Sequence, residues 1–177
     1  MRVLFLLLLF AASSGYADSE RYRNAVQAAL DAEPALCLGE TRWPVTIANG
    51  RDGWLTARMA ALADAGLITP SRLTDKTVWR LTTSGNRQYQ RHQDFCYGQM
   101  RVDRIQYVQI KQDNVVEVTF TYSISGLPAW ASNKAVRVAN NDLDNLLMGI
   151  DKVRWRASFE AASLSVINEP EQLDLLY

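Results

Sequence analysis

The sequence predicts an α+β fold in two parts: a mainly helical half over residues 18–98, then an antiparallel sheet half of ββαββ order over residues 99–177. Apolar residues recur at helical spacing in two stretches of the first half. In the second half, apolar and polar residues alternate through 115–124, the pattern of a half-buried strand. A helical stretch between two pairs of strands favours a helix lying across one face of a sheet.

Two helices are predicted in the first half, at 19–32 and 53–66. Pro34 cannot continue the first helix, and Gly66 is a favoured residue just beyond the end of the second. The apolar faces of the two helices are formed by Tyr22, Val26, Ala29 and Leu30, and by Leu55, Met59, Leu62 and Ala63. These faces are expected to be buried.

Shorter patterns predict the remaining elements. The rest of the first half consists of extended segments at 35–39 and 43–45, a polar loop at 69–76, a strand at 78–82 and a short helix or turn near 85–92. The second half consists of strands at 100–111, 115–124, 152–160 and 163–168 and a helix at 133–148. Residues 173–177 are expected to dock as a tail.

Residues 1–17 have the pattern of a secretory signal peptide. Arg2 precedes an apolar run at 3–10, and Gly15-Tyr16-Ala17 provides small residues before a cleavage site after Ala17. The apolar run is too short to span a bilayer, and no later stretch approaches ~20 apolar residues, so no membrane span is expected after cleavage. The expected location is the periplasm of a Gram-negative bacterium, with secretion to the outside as the alternative.

Cys37 and Cys96 are the two cysteines of the chain. In an oxidising compartment, an even pair is most simply one disulfide. Closing a loop of this length stabilises the fold by about 4 kcal/mol in the chain-entropy model. A metal site would need more ligands than two thiols and the single histidine, His92, so we expect neither a metal nor another cofactor.

The run Met59-x-x-Leu62-x-x-Ala65-Gly66-Leu67-Ile68, followed by Trp79-x-Leu81-Thr82-x-x-Gly85, resembles a winged-helix domain. The resemblance spans residues 53–92 and implies a helix that ends at a glycine, then a hairpin. It implies a shape and not a function. Nucleic-acid binding is not expected, because the leader exports the chain and basic and acidic side chains are equal at 19 each.

A candidate binding surface combines a basic cluster with one loop tryptophan. Its residues are Arg80, Arg87, Arg91, Arg101, Arg104 and Trp130. Guanidinium groups bind carboxylates and phosphates, so this surface would suit an anionic ligand or an acidic partner. Solvated arginines paired with Asp94 and Asp103 are the alternative interpretation. Trp130 lies in a loop beside Pro128, where a core position and an exposed anchor are equally compatible with the pattern.

Motifs for catalysis are weak, and no catalytic residue is assigned. His92 has no Gly-x-Ser-x-Gly nucleophile elbow to accompany it. Acid pairs such as Asp142 with Asp144, or Glu169 with Glu171, could serve a hydrolase only if they faced one cleft. Since residues two apart on a helix point to different sides, the first pair is not expected to do so.

Cys37-Leu38-Gly39-x-x-x-Trp43-Pro44, Phe95-Cys96-Tyr97-Gly98 and Leu127-Pro128-x-Trp130-Ala131 resemble a group of small exported enterobacterial proteins, the CpmK type. The resemblance implies a periplasmic protein without an established activity. We therefore expect a non-enzymatic binding or interaction protein whose partner is a periplasmic protein or an anionic ligand. A small cell-envelope hydrolase using Asp or Glu, or an inhibitor or self-protection factor for an envelope enzyme, are the alternatives.

Overall fold

The structure is a computed structural model that describes residues 14–174. The fold is mixed α+β, as predicted. The helices are α1 (Ser14–Ala32), α2 (Gly53–Asp64), α3 (Thr83–Tyr89), α4 (Lys134–Ala139) and α5 (Asn141–Gly149), with a 3₁₀ helix at Ala129–Ser132. The strands are β1 (Leu36–Cys37), β2 (Val45–Ala48), β3 (Ile68–Arg72), β4 (Lys76–Leu81), β5 (Cys96–Ile110), β6 (Val115–Ser125), β7 (Trp155–Glu160) and β8 (Val166–Gln172).

The strands form two antiparallel sheets. The larger has the order β1-β5-β6-β7-β8 and the smaller has the order β2-β4-β3. Strand β1 pairs with β5, and helix α1 packs against β5. Two elements that precede residue 98 therefore belong with the large sheet of the second half. The ββαββ order is therefore a partial description of that sheet.

One predicted loop is a strand. Residues 69–76 were expected to form a polar loop, but β3 covers Ile68–Arg72 and pairs with β4. Pro70 has no N–H to donate, which disfavours it inside a sheet. Because β3 is an edge strand of the small sheet, that missing donor is tolerated. The prediction was wrong because the sequence does not show which strands lie at an edge.

The predicted helix at 133–148 is two helices. Asn140, between α4 and α5, has φ −137° and ψ 88°, outside the helical region. Its side chain donates a hydrogen bond to the carbonyl of Val136 at 2.7 Å. Asparagine bonds readily to nearby backbone groups, which favours such interruptions. The break leaves the polar residues 140–142 at the junction of the two helices.

Two hydrophobic cores fill the molecule. One lies around Phe95, between the small sheet, α2, α4 and α5. The other lies beneath α1, on the face of the large sheet that includes Val116, Val118 and Phe120. Leu36 and Leu146 pack against both cores and so connect them.

The turn after α2 fixes the position of the hairpin β3–β4. Gly66 has φ +73°, and the N–H groups of Gly66 and Leu67 donate to the carbonyls of Ala63 and Leu62, a Schellman motif. Gly85 of α3 approaches closely as well, since a Cβ there would lie 1.8 Å from the carbonyl oxygen of Leu67. Both glycines are therefore required by geometry.

Several sequence predictions have no test in this fold. Most of the predicted leader lies outside the described residues, and its last four positions, 14–17, belong to α1. The end of the predicted C-terminal tail, residues 175–177, also lies outside them. The division into halves at residue 98 and the winged-helix resemblance of 53–92 stay predictions. Within residues 14–174, no helix is both long and apolar enough to cross a membrane.

Candidate functional site

A groove of about 750 Å³ lies between α2 and the α4–α5 pair. One wall is formed by Ala57, Ala60 and Ala61 of α2, and the other by Ala135 and Ala139 of α4. Alanine side chains end at Cβ, so the two walls leave room between them. Cys37, Leu38 and Tyr97 form the floor, which places the disulfide-bonded strands β1 and β5 beneath the groove.

Two large apolar side chains line the groove while remaining exposed. Trp54 of α2 is 66% exposed and Val138 of α4 is 73% exposed. Single exposed apolar residues are common, but here two of them line the walls of one apolar depression. They place an aromatic and an aliphatic surface between the helices.

Arg58 supports Trp54 from within the protein. Its guanidinium carbon lies 4.6 Å from the centre of the Trp54 ring, a cation–π contact. Nη2 donates to the carbonyl of Leu38 at 2.9 Å and lies 2.8 Å from Oε1 of Glu40. The approach to Glu40 is an ion pair without hydrogen-bond alignment, because Glu40 Oε1 and Arg58 Nε have no hydrogen-bond partner among the described residues. Arg58 therefore joins α2 to the segment after β1.

Glu40 is held from the other side by a second buried acid. The carboxylate of Asp94 accepts hydrogen bonds from the backbone N–H groups of Gly39 at 2.9 Å and Glu40 at 2.8 Å. Burial raises the pKa of Glu40; the charge of Arg58 opposes this shift, and the charge of Asp94 adds to it. Glu40 does not line the groove. Its role is structural, behind the wall that Arg58 forms.

The polar part of the groove is acidic and amide-rich. Asn140, Asn141 and Asp142 lie at the α4–α5 junction, and Asp64 lies at the end of α2. Tyr97 on the floor is 3% exposed, and burial, with a smaller contribution from Asp142, raises its pKa to about 12. The Tyr97 hydroxyl therefore stays protonated. Because Glu40 offsets the charge of Arg58, Asp64 and Asp142 leave this groove with a negative rim.

The structure disperses the predicted arginine surface. Arg101 Nη1 lies 2.7 Å from Asp31, and Arg104 Nη2 lies 3.6 Å from Asp103. Arg80 on β4 and Arg87 on α3 are exposed and have no ion pair among the described residues. Arg91 lines a separate groove of about 440 Å³. Arg101 does not line that groove, although its Nε donates a hydrogen bond to Ser125, one of the lining residues, at 3.2 Å.

Trp130 is a core residue, which excludes it as an exposed anchor. It is 8% exposed, and its ring lies 6.0 Å from that of Phe95 in an edge-on arrangement. Trp43 and Tyr89 approach Phe95 in the same way, at 5.7 and 6.3 Å. This aromatic cluster positions the 3₁₀ helix before α4, so Trp130 contributes to the groove through the fold.

Apart from Cys37 on the floor of the groove, the remaining sequence candidates lie outside it. Cys37 and Cys96 form the predicted disulfide, and no described cysteine is free. His92 is exposed beside Arg91. Asp144 pairs with Arg137 at 2.6 Å, and Glu171 pairs with Arg156 at 2.5 Å. Among residues 14–174, no group of three or more metal-ligating side chains occurs.

Among the five tryptophans that could line a groove, the sequence favoured Trp130 over Trp54, and it gave no indication of Val138 or of the Arg58–Glu40 pair. One signal was present in the sequence: Trp54 comes one position before Leu55, the first residue of the buried stripe of α2. Arg58 comes four residues after Trp54 and therefore lies on the same face of the helix. A large aromatic residue off the buried stripe indicates an exposed contact. Glu40 gave no such signal, since it lies in a short loop whose burial depends on the whole fold.

Comparison with known proteins identifies no relative of this chain. No family model matches the chain, and neither a curated protein nor a solved structure is significantly similar to it.

Proposed function

We propose that this chain is a non-enzymatic binding protein of the periplasm that takes an apolar, basic segment of a partner protein into the groove between α2 and α4–α5. The observation that carries the proposal is the pair of exposed side chains, Trp54 and Val138, in an alanine-walled groove with a negative rim. Buried apolar contacts supply most of the affinity of such grooves. The carboxylates of Asp64 and Asp142 favour a lysine or arginine beside the apolar contact.

Two features support action outside the cytoplasm. The Cys37–Cys96 disulfide suits an oxidising compartment. The leader pattern of residues 1–17 provides the export route. Expression of the full chain in a Gram-negative host tests this directly. We expect the protein in the periplasmic fraction with Asp18 as its first residue, whereas full-length cytoplasmic protein would contradict export.

The hydrolase alternative has less support in the geometry. A glycosidase-type site needs a general acid with a raised pKa that faces the substrate. Glu40 has a raised pKa but lies behind Arg58, away from the groove. Inhibition or self-protection would be a consequence of binding an envelope enzyme and belongs with the binding proposal.

Selection from a displayed library of random peptides tests the groove. We expect enriched sequences to combine an aromatic or aliphatic residue with a neighbouring lysine or arginine. For a synthetic copy of an enriched peptide, fluorescence anisotropy should show binding weakened by roughly tenfold or more in Trp54→Ala and in Val138→Asp, in line with loss of a central contact.

Matched controls use exposed apolar residues outside the groove. Leu73 is 48% exposed and Ile167 is 49% exposed, and neither lines the groove. Leu73→Ala and Ile167→Asp should leave the affinity unchanged. Peptides that bind Trp54→Ala and Val138→Asp as tightly as the parent would contradict the assignment of the groove.

A further inference from the structure

The outer edge of β5 is protected along one part and open along another. Side chains of α1 cover the backbone at its beginning: Arg23 donates to the carbonyls of Val102 and Asp103, each at 3.0 Å, and Gln27 Oε1 accepts from the N–H of Val102 at 2.9 Å. Strand β1 pairs with β5 at Cys96 and Gly98 only. Residues 104–110 continue beyond this cover, and within residues 14–174 their strand pairing is to β6 alone.

The open part presents backbone groups ready for another strand. Lys111 N–H donates to the carbonyl of Val115, so 111 and 115 form a hydrogen-bonded pair of the β5–β6 ladder. Hydrogen-bonded and non-bonded pairs alternate along an antiparallel ladder. Val108 and Ile110 therefore occupy non-bonded positions opposite Val118 and Val116, and their N–H and C=O groups point to the open edge.

Three exposed hydrophobic side chains lie on this edge, among the polar residues Arg104, Gln106 and Gln109. Tyr107, Val108 and Ile110 are 66%, 39% and 75% exposed. Val108 and Ile110 lie on the same face as Val118 and Val116, which are fully buried, so they extend the apolar face of the sheet beyond its core. Long apolar edges invite pairing, and natural proteins usually block them.

The opposite edge of the same sheet is blocked. Strand β8 contains Pro170 between Glu169 and Glu171. A proline removes a donor, and charged side chains oppose the approach of another strand. The two edges therefore differ in how strongly they oppose the approach of another strand.

We propose that the open part of β5 binds a second copy of this chain, through antiparallel pairing of β5 with β5 about a two-fold axis at Gln109. In this register Val108 lies opposite Ile110 of the partner, so the outward backbone groups of one copy meet those of the other. The four apolar side chains form one cluster, and Tyr107 lies opposite Lys111. No like charges face each other, which is the self-complementarity that a two-fold interface requires.

Disulfide trapping tests the register. Gln109 is exposed and would lie directly opposite its own copy in a non-bonded pair, where Cβ atoms approach to about 5 Å. Gln109→Cys should form a covalent dimer under mild oxidation. Gln106→Cys is the matched control, because position 106 lies roughly 20 Å from its copy in this register. Failure of Gln109→Cys to cross-link, or equal cross-linking of both variants, would overturn the proposal.

Light scattering after size exclusion tests the interface without cross-linking. We expect twice the mass of one chain for the parent. In Ile110→Lys we expect the dimer dissociation constant to rise by roughly tenfold or more, because a charged lysine on an edge strand opposes pairing with another strand. Ile167→Lys on β8 introduces the same charge on the blocked edge and should leave the dimer intact. Circular dichroism confirms that each variant is folded. A monomeric parent, or a dimer that survives Ile110→Lys, would refute the β5 interface.

Discussion

Replacing Arg58 with methionine removes the guanidinium that supports the groove wall and keeps most of the apolar stem. The side chains of Arg58 and Glu40 are only 16% and 10% exposed. Without Arg58, the Glu40 carboxylate is buried beside the second acid, Asp94. The substitution therefore separates the contribution of the charge from that of packing.

The expected loss follows from the burial of the pair. Removing one partner of a buried ion pair costs about 3–5 kcal/mol, because the other charge stays buried without compensation. Glu40 can bind a proton in response, which places the expected loss for Arg58→Met near the lower limit, about 3 kcal/mol. For a chain of this size, that corresponds to a fall in Tm of roughly 6–12 °C.

The reverse substitution, Glu40→Gln, should cost less. Burial is the largest influence on the pKa of Glu40 and outweighs the attraction of Arg58. A neutral side chain of the same shape avoids that desolvation cost, while Arg58 keeps its bond to Leu38 and its contact with Trp54. We expect the free energy of unfolding to fall by less than in Arg58→Met, because loss of the carboxylate also removes its own desolvation cost, which offsets part of the cost of leaving Arg58 without a charged partner.

Urea unfolding at about pH 5 and about pH 8 provides the assay. Because the pKa of Glu40 is raised in the folded state, its stabilising contribution is complete at low pH and is lost as pH rises through that pKa. The loss in Arg58→Met should therefore be larger at the higher pH. Equal losses in Arg58→Met and Glu40→Gln, or a loss in Arg58→Met that does not change with pH, would refute this account.

Four further variants test other parts of the fold by the same unfolding measurement. Changing Cys37 and Cys96 together to serine should lower the free energy of unfolding by about 4 kcal/mol, and free-thiol labelling of the unreduced parent should find no reactive cysteine. Gly85→Ala forces a Cβ against the backbone at the start of β3 and should cost about 1–3 kcal/mol. Trp130→Ala should cost about 3–5 kcal/mol, whereas Trp54→Ala at the groove should cost less than about 1 kcal/mol; equal losses would contradict the burial of Trp130.

Local patterns were sufficient for the long elements. The helical spacing at 53–66 and the alternation at 115–124 correspond to α2 and β6 within two residues at each end. These patterns arise from burial of one face, which periodicity records directly. Strand β3 and the break at Asn140 depend on an edge position and on a side-chain bond, so periodicity could not predict them.

Long-range pairing limited the prediction of the site. The arginines between residues 80 and 104 are near one another in sequence, but Arg80 and Arg87 lie on β4 and α3, whereas Arg101 lies on β5 and pairs with Asp31 of α1. The groove is assembled from α2 and the α4–α5 pair, which are about 70 residues apart in sequence. Composition cannot show that Trp54 and Val138 line the same space, because that depends on how the helices pack.

The disulfide connects the predicted compartment to the site. Cys37 lines the floor of the groove, and its bond to Cys96 holds β1 against β5 directly beneath the alanine walls. The same short stretch continues into Gly39 and Glu40, whose N–H groups are held by Asp94, and through Glu40 to Arg58 and Trp54. The wall that presents Trp54 is thus tied to a covalent bond that persists where thiols are oxidised. An oxidising compartment, which keeps this bond formed, therefore stabilises the strands on which the groove is built.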